Sequence, residues 1–298
     1  MGKAFRVSSI VLLVAFLAGC TESASGAPVM PPNRAGVDTA TCQQVLDMVR
    51  DDLETVFPMV AQSTPGNRPE LVRQRLVGAG ENDVTAVMTD YLNHTKVDEV
   101  ADVDAAVVRL TGDHASVLVF GWLVEDPTGA NFRQEVTMLI GLDRLAGTWR
   151  ISRVSLDPTE APLAGGPGPA PDAQIAERDA AVSAAVTLAT RLTEFDASDP
   201  EASYDKWFKA SVEPLTTKLR TAREEFPPGD AVTVTVSPRP IVAPVYVRPG
   251  DASLLVSLYT HNSQGSALQA LRIQVVRVED GSWRAADLTQ LHAVGGGS

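Results

Sequence analysis

The sequence predicts an α+β protein built as two successive domains of one type. Three observations point there. A run rich in proline and glycine divides the chain, the stretches on either side carry matching landmarks, and each stretch reads helices first and strands second. The run is Asp157-Pro-Thr-Glu-Ala-Pro-Leu-Ala-Gly-Gly-Pro-Gly-Pro-Ala-Pro-Asp172, with five prolines and three glycines. Such a segment cannot form a helix interior or a central strand, and its prolines make it a semi-rigid linker. We place the linker at 158–172, a first domain at 37–157 and a second at 173–294. Gly295 to Ser298 resembles an appended flexible linker and stays outside the fold.

The landmarks are local. Gly112-Asp113-His114-Ala115-Ser116-Val117-Leu118-Val119 matches Gly250-Asp251-Ala252-Ser253-Leu254-Leu255-Val256, and Gly147-Thr148-Trp149-Arg150 matches Gly281-Ser282-Trp283-Arg284. From Ser116 to Trp149 is 33 residues and from Ser253 to Trp283 is 30. Two landmarks at similar spacing indicate a tandem duplication. With only two long copies the chain is not a solenoid.

In the first half, Cys42, Val45, Leu46, Val49, Leu53, Val56, Phe57 and Val60 recur at three and four residues. This is one face of a long helix. Pro69 suits the first position of a helix over 68–77. Val84, Val87, Met88, Tyr91 and Leu92 form a third helical stripe. Strands follow at roughly 104–110, 115–124, 133–142 and 148–156, with the period of two clearest at Val136, Met138, Ile140 and Leu142. In the second half, Ile175, Val182, Ala185, Val186, Ala189 and Leu192 mark the long helix. Pro200 opens a second helix with Tyr204, Trp207 and Phe208, and Leu215, Leu219, Ala222 and Phe226 stripe a third. Val232, Val234 and Val236 alternate with threonines. Leu271, Ile273 and Val275 alternate with Arg272 and Gln274, and Gly281 turns the chain into the last strand.

Ahead of the domains lies an address. Lys3 and Arg6 precede the apolar run Ile10 to Leu17. The run is far shorter than the roughly 20 residues of a spanning helix, so 1–19 reads as a signal peptide. It ends in Leu17-Ala18-Gly19-Cys20, which resembles the bacterial lipobox, followed by a small-residue tether over 20–36. The resemblance implies that Cys20 is lipidated and becomes the mature N-terminus. Two acyl chains then hold the protein stably on the extracytoplasmic face of the cell membrane. Cys42 is left without a partner in the chain and reads as a buried thiol.

Composition excludes several classes. Charged residues make 21% and the net charge is −12, which becomes −14 once Lys3 and Arg6 are removed with the leader. There is no basic stripe, so no nucleic acid partner is expected. Two cysteines and four scattered histidines make no structural zinc site, and neither metal nor cofactor is expected. Five lysines against twenty arginines fit a GC-rich genome.

No catalytic motif recurs in both halves. There is no Gly-x-Ser-x-Gly, His-Glu-x-x-His, Walker A or Gly-x-Gly-x-x-Gly. Ser203-x-x-Lys206 lacks the Lys-Thr-Gly that would accompany a nucleophile and reads as a helix surface. Asp90, Tyr91 and His94 cluster in the first half, and the second has no counterpart. Catalytic residues are therefore not assigned. Val117-Leu118-Val119-Phe120-Gly121-Trp122-Leu123-Val124 is apolar on both strand faces, where a half-buried strand alternates. Either it is buried on both sides, or Phe120 and Trp122 form an apolar patch that docks a partner.

A long helix, two shorter ones and a curled antiparallel sheet in about 120 residues resemble the NTF2-like or cystatin-like cone. The Gly-Thr/Ser-Trp-Arg strand is similar to the closing strand of actinobacterial Mce-associated proteins. That resemblance implies a non-enzymatic envelope protein that scaffolds a membrane complex for Mce-type lipid transport. Its partners would be the membrane, through the anchor, a membrane protein complex, and lipid. The same cones resemble lipid or small-ligand binding domains and the periplasmic parts of conjugation channels, which stand as alternatives.

Overall fold

A computed structural model describes residues 39–90, 97, 99–125, 132–156, 173–225, 232–237 and 239–293. The chain packs as two compact units. The first gathers Pro28–Ala180 together with Ile241–Arg248, and the second gathers Ala181–Pro240 and Pro249–Ser298. No helix among the described residues is long and apolar enough to cross a membrane.

In the first unit, helix α1 (Thr39–Ala61) is followed by α2 (Glu70–Arg75) and α3 (Gly80–Thr85). A π-helical turn over Ala86–Asp90 extends α3. Strands β1 (Glu99–Thr111), β2 (His114–Glu125), β3 (Phe132–Leu145) and β4 (Thr148–Ser155) form an antiparallel sheet in that order. The apolar stripe of α1 lies on the sheet, and Val49, Leu53, Val56 and Phe57 are fully buried with Val117, Val119, Met138 and Ile140. Arg68, itself buried, ties the end of α1 to α3: it donates to the Val60 carbonyl and Thr85 Oγ1, and pairs with Glu81 at 3.0 Å. Pro69 is the cap of α2 and not its first residue, and the helix is shorter than the expected 68–77. Tyr91 and Leu92 of the third stripe lie outside the described residues.

Helix α4 (Ala173–Thr193) begins in the first unit and enters the second at Ala181, where it, α5 (Pro200–Ala210) and α6 (Leu215–Glu225) precede the sheet. Its strands β5 (Thr235–Val236), β7 (Asp251–Asn262), β8 (Gly265–Arg277) and β9 (Trp283–Ala293) are neighbours in that order. Asp199 caps α5 by accepting from the Ala202 N–H, with Pro200 at the first turn. Phe195, Tyr204 and Trp207 pack ring against ring within 5.6 Å. Between β5 and β7 in sequence, β6 (Ile241–Arg248) groups with the first unit and lies against β1. Pro244 inside it removes the alternating signal that would mark it as a strand.

The two units repeat one hydrogen-bond frame. The Arg144 N–H donates to the Asp113 carbonyl at 2.7 Å, and the Arg277 N–H to the Gly250 carbonyl at 2.8 Å, one position earlier in the matched turn. Each arginine faces the hairpin tryptophan across the strands, Trp149 and Trp283. The guanidinium carbons lie 5.9 and 4.8 Å from the ring centroids. Three residues after each tryptophan the closing strand bulges, at Ser152 and at Ala286. The residue before each bulge takes the chain leaving the second helix: Val77 N–H to Ile151 carbonyl and Val212 N–H to Ala285 carbonyl, both at 2.9 Å. Gly80 opens α3 hard against this strand, where a Cβ would sit 2.5 Å from the Ile151 oxygen.

Next to this seam, an ion pair is present in both units with its charges exchanged. Asp83 of α3 pairs with Arg153 of β4 at 3.3 Å, and Lys218 of α6 pairs with Asp287 of β9 at 2.8 Å. Asp83 and Lys218 each follow the helix-exit residue, Leu76 or Ser211, by seven positions. A helix docked on the wrong strand would set Asp83 against Asp287 or Lys218 against Arg153. Like charges in contact destabilise such a pairing.

Candidate functional site

The residues singled out in the sequence fall as follows. Cys20 lies outside the described residues, as do Tyr91 and His94. Phe120 is fully buried and Trp122 is half-buried. Strand β2 is covered on both faces from Ala115 to Gly121, so as folded Phe120 presents no surface to a partner. Ser203 is buried, and its Oγ accepts from the Asp196 N–H at 2.9 Å and donates to the Asp199 carbonyl at 3.3 Å. With both bonds it braces the start of α5. Cys42 is buried and is not in a disulfide among the described residues. Among the described residues no group of three His, Cys, Asp or Glu could hold a metal ion.

A cavity of about 370 Å³ opens in the first unit beside none of these. Gln44, Asp47, Met48 and Asp51 supply one wall, Arg75 another, and Gly147, Thr148 and Trp149 the third. The first four recur at three and four residues, so they share one face of α1. Arg75 is the last residue of α2. The hairpin places the third wall: Ala146 and Gly147 both have positive φ, 50° and 83°, and turn β3 into β4. Glycine takes that conformation without cost, and the turn lets Trp149 fold in against Arg144.

Behind the wall sits Asp52, fully buried. Arg75 is shared between two carboxylates, with Nη2 3.0 Å from Asp51 Oδ2 and Nε 3.5 Å from Asp52 Oδ1. Among the described residues neither oxygen of Asp52 has a hydrogen-bond partner, and the Trp149 Nε1–H has no acceptor. Burial pushes the Asp52 carboxyl from 3.8 up to about 7, Arg75 opposing the rise and Asp51 adding to it. A buried carboxyl with its partner at arm's length is poised between charge states near neutrality.

Sequence reasoning did not find this group, although a signal existed. Asp52 stands three residues after Val49 and four before Val56, in phase with the buried stripe of α1. A charged residue in that phase is rarely buried without a partner. The partner, Arg75, is 23 residues away and is brought in by the turn between α1 and α2.

No family model matches the chain, and no curated protein matches it. Among solved structures, an "Ntf2 like protein involved in plasmid conjugation" is similar at 10% identity, over 74% of this chain and 91% of that one. The TM-score is 0.28, a level of superposition that supports no statement about this chain.

Proposed function

We propose that the chain is a non-enzymatic envelope lipoprotein, anchored through Cys20 on the extracytoplasmic face of the cell membrane, that works by docking to a membrane protein complex. The observation that carries the docking reading is the filled interior of the first unit. Leu53 and Phe57 of α1 and Met138 and Ile140 of β3 are all fully buried against one another. These side chains lie between helix and sheet, where an apolar ligand or an acid–base pair would act. This weighs against the lipid-binding alternative in that unit. The repeated frame adds support, since shape recurs in both units while the charges of Asp51, Asp52 and Arg75 do not.

The anchor rests on the order of apolar run, small residues and cysteine at Leu17-Ala18-Gly19-Cys20. Mce-type lipid transport is the complex that the Trp-Arg strands suggest, and a conjugation-channel assembly is the other. Crosslinking and pull-down from detergent-solubilised membranes separates them by the partners recovered. Cys20→Ala should block acylation and leave the precursor unprocessed or released. A variant that is cleaved and fractionates with membranes as before overturns the anchor, and a chain that recovers no partner overturns the docking.

A further inference from the structure

The charges of Asp51, Asp52 and Arg75 are not demanded by the fold, because the second unit builds a similar frame without them, Asp47 alone keeping a counterpart in Asp179. The buried stripes of α1 and α4 share one spacing: Val49, Leu53, Val56, Phe57 and Val60 are spaced as Ala181, Ala185, Leu188, Ala189 and Leu192. On that match Asp51 and Asp52 correspond to Ser183 and Ala184. The bridges Leu76–Ile151 and Ser211–Ala285 make Arg75 correspond to Ala210. The hairpin wall persists as Gly281-Ser282-Trp283, so the turn is kept while all three charges are gone. A buried carboxylate without full hydrogen bonding costs stability, and the second unit shows that this cost is avoidable.

From this contrast we infer that the cavity of the first unit is a docking site for a basic side chain on a protein partner, a lysine or arginine entering against Asp47 and Asp51. The inference rests on the docking reading and names the chemistry of the partner. Arg75 is shared between Asp51 and the buried Asp52, and Asp47, which accepts from Gln43, lines the same cavity, so one guanidinium serves two of the carboxylates. An entering cation takes over Asp51 and lets Arg75 close on Asp52. Trp149 lines the wall, and its buried indole N–H, lacking an acceptor among the described residues, reports on a change in the cavity. Leu145, 44% exposed at the hairpin next to Gly147, offers an apolar contact to the flanking residue. A divalent ion fits less well, since no three acidic or imidazole groups converge among the described residues. The acidic protein as a whole, at −12, steers a basic segment toward it.

The test is titration of the full chain with acetyl-Leu-Arg-Leu-amide and acetyl-Leu-Glu-Leu-amide, followed by the indole N–H resonances of its tryptophans. The arginine peptide should move the Trp149 resonance and leave those of Trp207 and Trp283 in place, and the glutamate peptide should move none. Asp51→Asn, at an exposed position, should weaken the arginine peptide at least about fivefold, as loss of a charge-assisted contact does. An unmoved Trp149 resonance overturns the inference. So does an equal response to the glutamate peptide, or unchanged affinity in both Asp47→Asn and Asp51→Asn. If butylguanidinium binds as tightly as the peptide, the site takes a free cation and the partner assignment fails. If Asp51→Asn abolishes peptide binding but leaves recovery of the membrane complex intact, docking stands and this cavity is not its seat.

Discussion

Replacing Asp52 by Asn should change how the first unit responds to pH more than how stable it is in acid. The folded carboxyl titrates near 7 and the unfolded one near 3.8, so between those values the folded state holds a proton that the unfolded state has lost. Stability therefore falls as pH rises through that window, and the loss is complete above the folded value. A separation of about three units at about 1.36 kcal/mol each gives on the order of 4 kcal/mol. Asn is close in shape to the protonated acid, so wild type and Asp52→Asn should unfold at similar urea concentrations near pH 4.5. Near pH 8 the variant should be the more stable by up to that amount. Tryptophan fluorescence reports both units, Trp122 and Trp149 lying in the first and Trp207 and Trp283 in the second, so the midpoint that moves should be that of the first. A stability difference that stays constant from pH 4.5 to 8 would refute the reasoning, because it would mean that Asp52 is solvated or fully paired.

Two further substitutions probe the core and the helix–strand seam. Phe120→Ala removes a fully buried ring and should cost about 3–5 kcal/mol in urea unfolding of the first unit; a loss below 1 kcal/mol would place the ring at a surface. At the seam, Asp287→Arg sets a cation against Lys218 and should destabilise the second unit. Adding Lys218→Asp should recover most of the loss, and a double variant no better than the single one would show that the pair does not couple.

Much of the helix and hairpin pattern was legible because its causes are local. The stripe from Val45 to Val60 is a period set by one helix, and it buries as that period requires. The turns at Gly112, Gly147, Gly250 and Gly281 all adopt positive φ, which the glycine at each position permits. The matched Gly-Thr-Trp-Arg and Gly-Ser-Trp-Arg segments led to strands that share a bulge, an arginine over the ring and a docked helix exit. Less was legible at the candidate site. Asp52 and Arg75 meet only because α2 folds back on α1, and the cavity wall at Thr148 and Trp149 arrives from a hairpin about a hundred residues further on. Nothing in the local pattern states such a meeting.

Sequence alone determined the helix-then-sheet order, the twofold recurrence and the acidic character, since periodicity, turn chemistry and charge are properties of neighbours along the chain. Tertiary structure alone decided three other things. It buried β2 on both faces, which turned Phe120 from a candidate contact into a core side chain. It set Ile241–Arg248 against β1 in the first unit, although Pro244 had hidden the strand and the linear order gave no reason for the placement. It also put one carboxylate of α1 out of reach of water beside a guanidinium that serves two. Each of these depends on which surfaces meet across long stretches of chain, and that is a free-energy balance of the whole unit with no expression in any short window of residues.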